Sequence, residues 1–417
     1  MTAGELLLRG PRLVDGTIVD VSIRGAQVAS VLPAGHAVAD AEVAEIDLTG
    51  HMLLTAPAEP HAHLDKAFSW DAIRPPMGDL RTAVTAWREY ITSIDGREIH
   101  RRARRAALAA LANGTTAIRT HADIPIEGDP ALTVAALAAV REELREVMDI
   151  EIVALAGPDV ATWRIEAALD AGATLVGGAP HLSDDEVGDL VRLLSIAEQR
   201  GVGVDLHIDE DLRDGRTLIE FARRTQGWTV TRTAGHCVRL GTLAPADRDA
   251  VIDAVVASGI AIIANPITNL WLQGWSEPVA TPRGIAPIAR VRQAGGLVAA
   301  GADNVRDPFN PLGRSDAMET AMLLVVAAHL DIESAWHAVS EGARQVMALP
   351  TAGPVAGARA DLLAIRGDSL ADAVAAAPAD RIVFSRGRIV ARSHTTQEFM
   401  LESARAPQTL AAGKGRL

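Results

Sequence analysis

Four short polar signatures stand where hydrophobic runs end: His61-Ala62-His63, His207-Ile208-Asp209-Glu210, Gly235-His236 and Asp303-Asn304. Buried strands seldom finish on ionisable side chains, because such groups are rarely buried without a partner. Alternate residues of a strand share a face, so His61 and His63 can aim at one point. Three imidazoles (His61, His63, His207) and the Asp303 carboxylate form a hard-to-borderline donor set. It suits one divalent cation, Zn²⁺ or Fe²⁺, and leaves a position for water. Such an ion lowers the pKa of its water toward about 7, so hydroxide is available at neutral pH. Glu210, just past His207, is spaced to move protons between that nucleophile and a substrate nitrogen. His236 is expected to orient or polarise the hydroxide, and Asp303 to accept a proton as well as bind metal.

The surrounding pattern says what must hold these residues. Strand-like runs occur at Met52–Ala56, Thr116–His121, Ile150–Leu155, Leu175–Ala179, Gly203–His207, Thr229–His236, Ala261–Asn265 and Leu297–Asp303. Helical stretches alternate with them, among them Pro130–Val147, Asp184–Arg200, Pro245–Ser258 and Ile285–Gln293. Eight such units predict a (β/α)8 barrel, whose chemistry sits at the C-terminal ends of the strands. A doubly wound open sheet is disfavoured, since no G-x-G-x-x-G follows the first long strand. Short strands and turns occupy both chain ends, with Asp15-Gly16 and Arg386-Gly387 as turn signals. The expected division is a composite β-sandwich from 1–51 plus 346–400, a catalytic barrel over 52–345, and a C-terminal tail over 401–417.

Composition bounds the partners. The chain has 417 residues, 48% hydrophobic and 22% charged, as a soluble globular enzyme would have. A net charge of −13 argues against a nucleic-acid partner. The one basic run, Arg101-Arg102-Ala103-Arg104-Arg105, falls on an amphipathic helical stretch and reads as a solvated face. The single cysteine, Cys237, permits no disulfide within one chain, which fits a reducing cytoplasm. Met1 to Arg12 does not read as a signal peptide, and no apolar run is long enough to span a membrane. A small molecule is therefore the expected partner, together with further copies of the chain in a homo-oligomer. Trp70, Trp87, Trp271 and Trp275 fall near the expected mouth, to shape the pocket, pack helices or bury a subunit contact.

At these residues the chain resembles the amidohydrolase superfamily, specifically its cytosine-deaminase-like branch. The resemblance runs from Glu59-Pro60-His61-Ala62-His63-Leu64-Asp65 to the C-terminal β-segment. It includes Arg119-Thr120-His121-Ala122-Asp123, Ala264-Asn265-Pro266, Asn269 with Leu272-Gln273-Gly274, and Asp307-Pro308 with Pro311-Leu312-Gly313. It implies a metal-dependent hydrolase that deaminates N-heterocycles. The implied ligands are His61, His63, His207 and Asp303, with Glu210 as proton shuttle and His236 beside the hydroxide. Binuclear relatives bridge two ions with a carboxylated lysine on the fourth strand. Here that strand ends Gly177-Gly178-Ala179-Pro180-His181, which predicts one ion, with His181 packing or hydrogen-bonding locally.

The departures concern substrate. Gly157 lies where cytosine deaminases place a substrate-binding glutamine, Asn304 where they carry a second aspartate, and Phe309 where they carry tryptophan. Lys66, one of only two lysines in the chain, is a further candidate for a substrate oxyanion or carbonyl. His63-Leu64-Asp65-Lys66 and Asp303-Asn304 with Arg306-Asp307 are similar to N-isopropylammelide hydrolase-type triazine hydrolases. The expected activity is thus deamination of a polar N-heterocycle other than cytosine. Alternatives are hydrolysis of an alkylamino-triazine or a cyclic amide or imide, and more remotely a non-catalytic scaffold.

Overall fold

The computed structural model describes residues 5–38, 43–213, 215–277 and 279–400; the expected tail, 401–417, lies outside the described residues. Eight parallel strands follow one another around a barrel in sequence order. They are β1 (Ala58–Ala62), β2 (Ala117–Asp123), β3 (Asp149–Ala156), β4 (Leu175–Gly178), β5 (Gly203–Ile208), β6 (Arg232–His236), β7 (Ala261–Ala264) and β8 (Val298–Ala300). The ring closes just past β8, where the Asp303 amide donates to the His61 carbonyl at 3.0 Å. Glu59 staples the same seam, accepting from the amides of His61 (3.1 Å) and Ala302 (2.8 Å). Strands such as β3 are apolar on both faces, as parallel strands under a coat of helices must be.

The helices start and stop on local signals. Glu186–Arg200 opens with Asp185 accepting from the Gly188 amide and closes on Gly201 at φ 64°. Pro245–Ser258 has proline in its first turn, where no amide hydrogen is needed, and closes on Gly259 at φ 71°. Leu80–Ile91, capped by Asp79, lies near the C-terminal ends of the barrel strands and packs through Leu80 and Ala83 against Leu272. No helix among the described residues is long and apolar enough to cross a membrane.

The chain ends build a separate sheet. Its strands are Glu5–Arg12, Ile18–Arg24, Gln27–Pro33, Ala44–Asp47, His51–Thr55, Leu362–Arg366, Arg381–Ser385 and Arg388–Ser393. They wrap a core of their own that includes Leu8, Val21, Leu53, Leu362 and Phe384. Buried ion pairs tie this sheet to the barrel: Arg344 to Asp361 at 2.7 Å, and Arg381 to both oxygens of Asp316 at 2.9 and 2.8 Å.

Two expectations are corrected. The run at Met52–Ala56 is not a barrel strand. His51–Thr55 pairs antiparallel with Leu362–Arg366, and the barrel begins one strand later, at β1. The true first strand, Ala58-Glu59-Pro60-His61-Ala62, has no apolar run of its own, so the stronger run just before it stood in its place. The basic run on helix Gly96–Ala112 is not wholly solvated either. Arg102 is buried, donating to the Phe68 carbonyl at 2.6 Å and the Tyr90 hydroxyl at 2.8 Å, and pairing with Glu98 at 2.6 Å.

Candidate active site

The strand-end polar residues converge. His61 Nε2 lies 3.3 Å from His207 Nε2, which lies 3.2 Å from His63 Nε2. Asp303 Oδ1 is 3.2 Å from His63 Nε2 and 3.8 Å from His61 Nε2. Donors held about 2.0–2.1 Å from one ion would sit roughly 3.0–3.4 Å apart; three of these separations fall in that range and the fourth, His61 to Asp303, is 3.8 Å, so the groups could close on a single divalent cation. The electrostatics agree. Burial, with the charges of neighbouring histidines or Lys66, holds His61, His63 and His207 well below the usual imidazole range, leaving neutral rings with free lone pairs. Both Asp303 oxygens are buried without a hydrogen-bond partner. Burial and the nearby Glu210, Asp307 and Glu59 push that carboxyl far up, an arrangement that a cation would relieve.

The backbone turns sharply where these side chains emerge. Asp209, His236, Cys237 and Asp303 all adopt positive φ, between 47° and 69°. Non-glycine residues rarely occupy this region, and such conformations cluster at functional sites. Gly235 makes room for the cluster, since a Cβ there would meet His61 Cε1 at 2.7 Å.

Glu210 is buried, which removes the possibility of a solvated acidic loop. Its carboxylate lies 3.5 Å from His181 Nε2 and 3.7 Å from His236 Nδ1. Burial and the Asp211 charge, opposed by Lys66, push its pKa up to about 8. Gln273 fixes its backbone, donating to the Glu210 carbonyl at 2.6 Å. His181 faces Glu210 rather than the three converging imidazoles, its Nδ1 lying 3.2 Å from the His207 carbonyl. His236 is held by Asn269 Nδ2, 3.0 Å from its Nδ1, and lies 3.8 Å from Asp303 Oδ2. Burial and the His181 and His121 charges lower its pKa to about 3.

All four residues expected to meet substrate line one cavity of about 960 Å³, together with His63, His207, Glu210 and His236. Lys66 is only 2% exposed, so it is no solvated-loop residue. It pairs with Asp123 and stands over the rings of Phe309 (4.9 Å) and Trp87 (5.3 Å). Burial opposes its charge, but Asp123 and Asp65 outweigh that and raise its pKa. Asn304 donates its side-chain amide to Asp307 at 2.8 Å, so that donor is already engaged. Over Gly157 lies an ion pair, Arg88 to Asp159 at 2.7 Å; a Cβ there would meet Arg88 Nη2 at 2.8 Å.

The residues that sequence reasoning left without a role lie beneath and beside this site. Arg119 donates to Asp205 at 2.8 Å and Glu151 at 2.6 Å deep in the barrel. Asp205 Oδ1 is also 3.4 Å from His121 Nε2 and 3.8 Å from His61 Nδ1. Burial opposes its ionisation, but His121 and Arg119 hold its carboxyl well below the usual range. The pairs Arg119/His121 and Asp205/His207 are two residues apart on their strands, the period that marks one inward face. Arg88 gave no such signal, because its wall is set by where helix Leu80–Ile91 packs. Of the tryptophans, Trp87 lines the cavity. Trp271 makes edge-on contacts with Trp70 (6.2 Å) and Trp275 (5.3 Å) instead.

Comparison with known proteins accords with this geometry. Residues 81–391 match the model of the amidohydrolase family, and the chain belongs to that family. It is 30% identical to a pterin deaminase of Rhizobium rhizogenes strain K84, over 90% of this chain and 88% of the relative. It is 26% identical to the N-isopropylammelide isopropyl amidohydrolase of Pseudomonas sp. strain ADP, over 84% and 88%. Among solved structures, N-isopropylammelide isopropylaminohydrolase from Burkholderia multivorans superposes with a TM-score of 0.80 at 30% identity, covering 94% of this chain and 99% of that one. A 5-methylcytosine deaminase from Klebsiella pneumoniae superposes with a TM-score of 0.83 at 24% identity, covering 95% and 99%, a likeness of fold.

Proposed function

We propose that this protein hydrolyses the exocyclic carbon–nitrogen bond of an amino-substituted N-heterocycle, releasing ammonia, with one Zn²⁺ or Fe²⁺ held by His61, His63, His207 and Asp303. The observation that carries the reading is the convergence of those four groups, two of which, His63 and His207, line one cavity with Glu210 and His236. When bound, the cation supplies a water nucleophile active at neutral pH. The protein's part is positional. Glu210 holds and moves the proton between nucleophile, ring nitrogen and leaving amine. His236, fixed by Asn269, orients the nucleophile, and Asp303 takes up its proton. Lys66 places a fixed positive charge where a ring carbonyl or oxyanion would lie.

A fused aminopteridine of the pterin type is the favoured ring. The pterin deaminase likeness spans nearly the whole chain, and Arg88 and Asp159 overlie Gly157 where a pyrimidine-reading glutamine would stand. Ammonia release from a panel of pterins, pyrimidines, triazines and oxopurines, with zinc- and iron-loaded protein, tests this. No turnover of any member would overturn it. Likeness to two ammelide hydrolases supports a second reading, release of an alkylamine from a triazine, which product analysis on the same panel separates. A cytoplasmic location is supported by the lone buried Cys237, which can form no disulfide within the chain.

A further inference from the structure

The cavity is much larger than the chemistry needs. About 960 Å³ lies at the upper end of the range for pockets that enclose drug-sized ligands, well beyond one or two fused rings. Its lining is of two kinds. One part is polar and buried: His63, Lys66, Glu210 and Asn304. The other part is apolar: Leu80, Val84, Trp87 and Ile91, a single stripe of helix Leu80–Ile91, with Ile124 and Leu132; Trp87, 5.3 Å from Lys66 Nζ, joins the two. A helix normally turns such a stripe toward a core; here the stripe packs in part, Leu80 against Leu272, and also lines the cavity. Around this part, Thr85, Glu89, Thr92, Glu127 and Asp129 are exposed, which marks it as the mouth. Among the described residues, none of Glu89, Glu127 and Asp129 is in an ion pair, whereas the one arginine there, Arg88, is already matched by Asp159.

Resting on the deaminase reading, we infer that the natural substrate is a ring bearing a neutral, mainly apolar substituent on the edge remote from the scissile amine. The ring occupies the polar part and the substituent occupies the apolar annex. The acidic rim disfavours substituents that carry a carboxylate. The substituent is retained in the product, because it points away from the polar part.

The test compares three pterins in the metal-loaded enzyme: the unsubstituted ring, a 6-butyl derivative and a 6-carboxylate. Both kcat/KM for ammonia release and Kd from quenching of intrinsic tryptophan fluorescence are measured. Each buried methylene is worth about fourfold. After the cost of ordering the chain, the butyl ring should exceed the parent by at least about tenfold, and the carboxylate should fall below the parent. Filling the annex with Val84→Phe, or Leu132→Phe if that variant folds poorly, should bring the butyl-to-parent ratio toward one. A flat or reversed series with the parent still deaminated overturns the annex and leaves the deaminase reading standing. If no ring turns over, the deaminase reading fails, and the Kd series still decides whether the annex binds a neutral substituent.

Discussion

Replacing Glu210 by glutamine isolates proton transfer from everything else at the site. Glutamine has nearly the same volume, and the Gln273 contact to the position 210 carbonyl does not involve the side chain. The fold should survive, because Glu210 raises the cost of ionising Asp303, and an amide removes that repulsion. The melting temperature of the metal-free protein should therefore be unchanged or slightly higher. Metal content should also be unchanged, since none of the close contacts among His61, His63, His207 and Asp303 includes Glu210. Only the capacity to hold and release a proton is lost. General acid–base catalysis is typically worth 10²–10⁴-fold, or about 3–5 kcal/mol of barrier. The assay is steady-state ammonia release with the best ring of the panel, alongside metal analysis of the same sample. A kcat within about tenfold of the parent, at full metal occupancy, would refute the shuttle assignment. Loss of metal in the variant would show instead that Glu210 is a ligand.

Chelation should abolish turnover, and readdition of Zn²⁺ or Fe²⁺ should restore it; added cation should also raise the melting temperature, because binding to the native state alone stabilises it. Unchanged activity after verified removal of metal would end the hydrolytic reading. Lys66→Met should lower stability by about 3 kcal/mol or more, since it leaves the buried Asp65 and its neighbour Asp123 without their cation, and should raise KM by at least about tenfold. Denaturant melts and kinetics on the same protein check both, and a neutral outcome on both would show Lys66 to be dispensable. Asp20 supplies an acid-dependent term in the chain-end sheet. Burial opposes its ionisation, but Arg9 at 2.9 Å and the Gly35 and Gly10 amides hold its pKa below the ordinary value. Its stabilisation is therefore present above the unfolded carboxylate pKa of about 4 and lost as pH falls through the depressed folded value. Asp20→Asn should melt a few degrees lower at pH 7, with the gap closing as the solution is acidified below that range.

How much of this could be read from the chain differs between the strands and the spaces between them. His61, His63, His207 and Asp303 were legible because strand period and barrel topology together dictate where such residues point. Glu210 was legible from its spacing to His207, although its burial was not. The inward polar layer of Arg119, His121 and Asp205 obeyed the same two-residue period, yet nothing in that period states what a buried arginine will contact. Arg88 over Gly157 and the apolar wall of helix Leu80–Ile91 were not legible at all. An amphipathic stripe shows that a helix has a buried side, and the same stripe would result from packing on a core or from lining a cavity. Strand His51–Thr55 escaped for a similar reason, since its antiparallel partner lies about three hundred residues away in sequence.

That distant pairing has a consequence for how the molecule is made. The strands near the start can zip with one another as they leave the ribosome, and His51–Thr55 meets Glu5–Arg12, but its other edge must wait for Leu362–Arg366. Throughout synthesis of the barrel, an apolar strand therefore offers an open edge to any neighbouring chain. Premature termination shortly before residue 362 would leave every barrel strand and every strand-end histidine intact, and still yield a product inclined to aggregate.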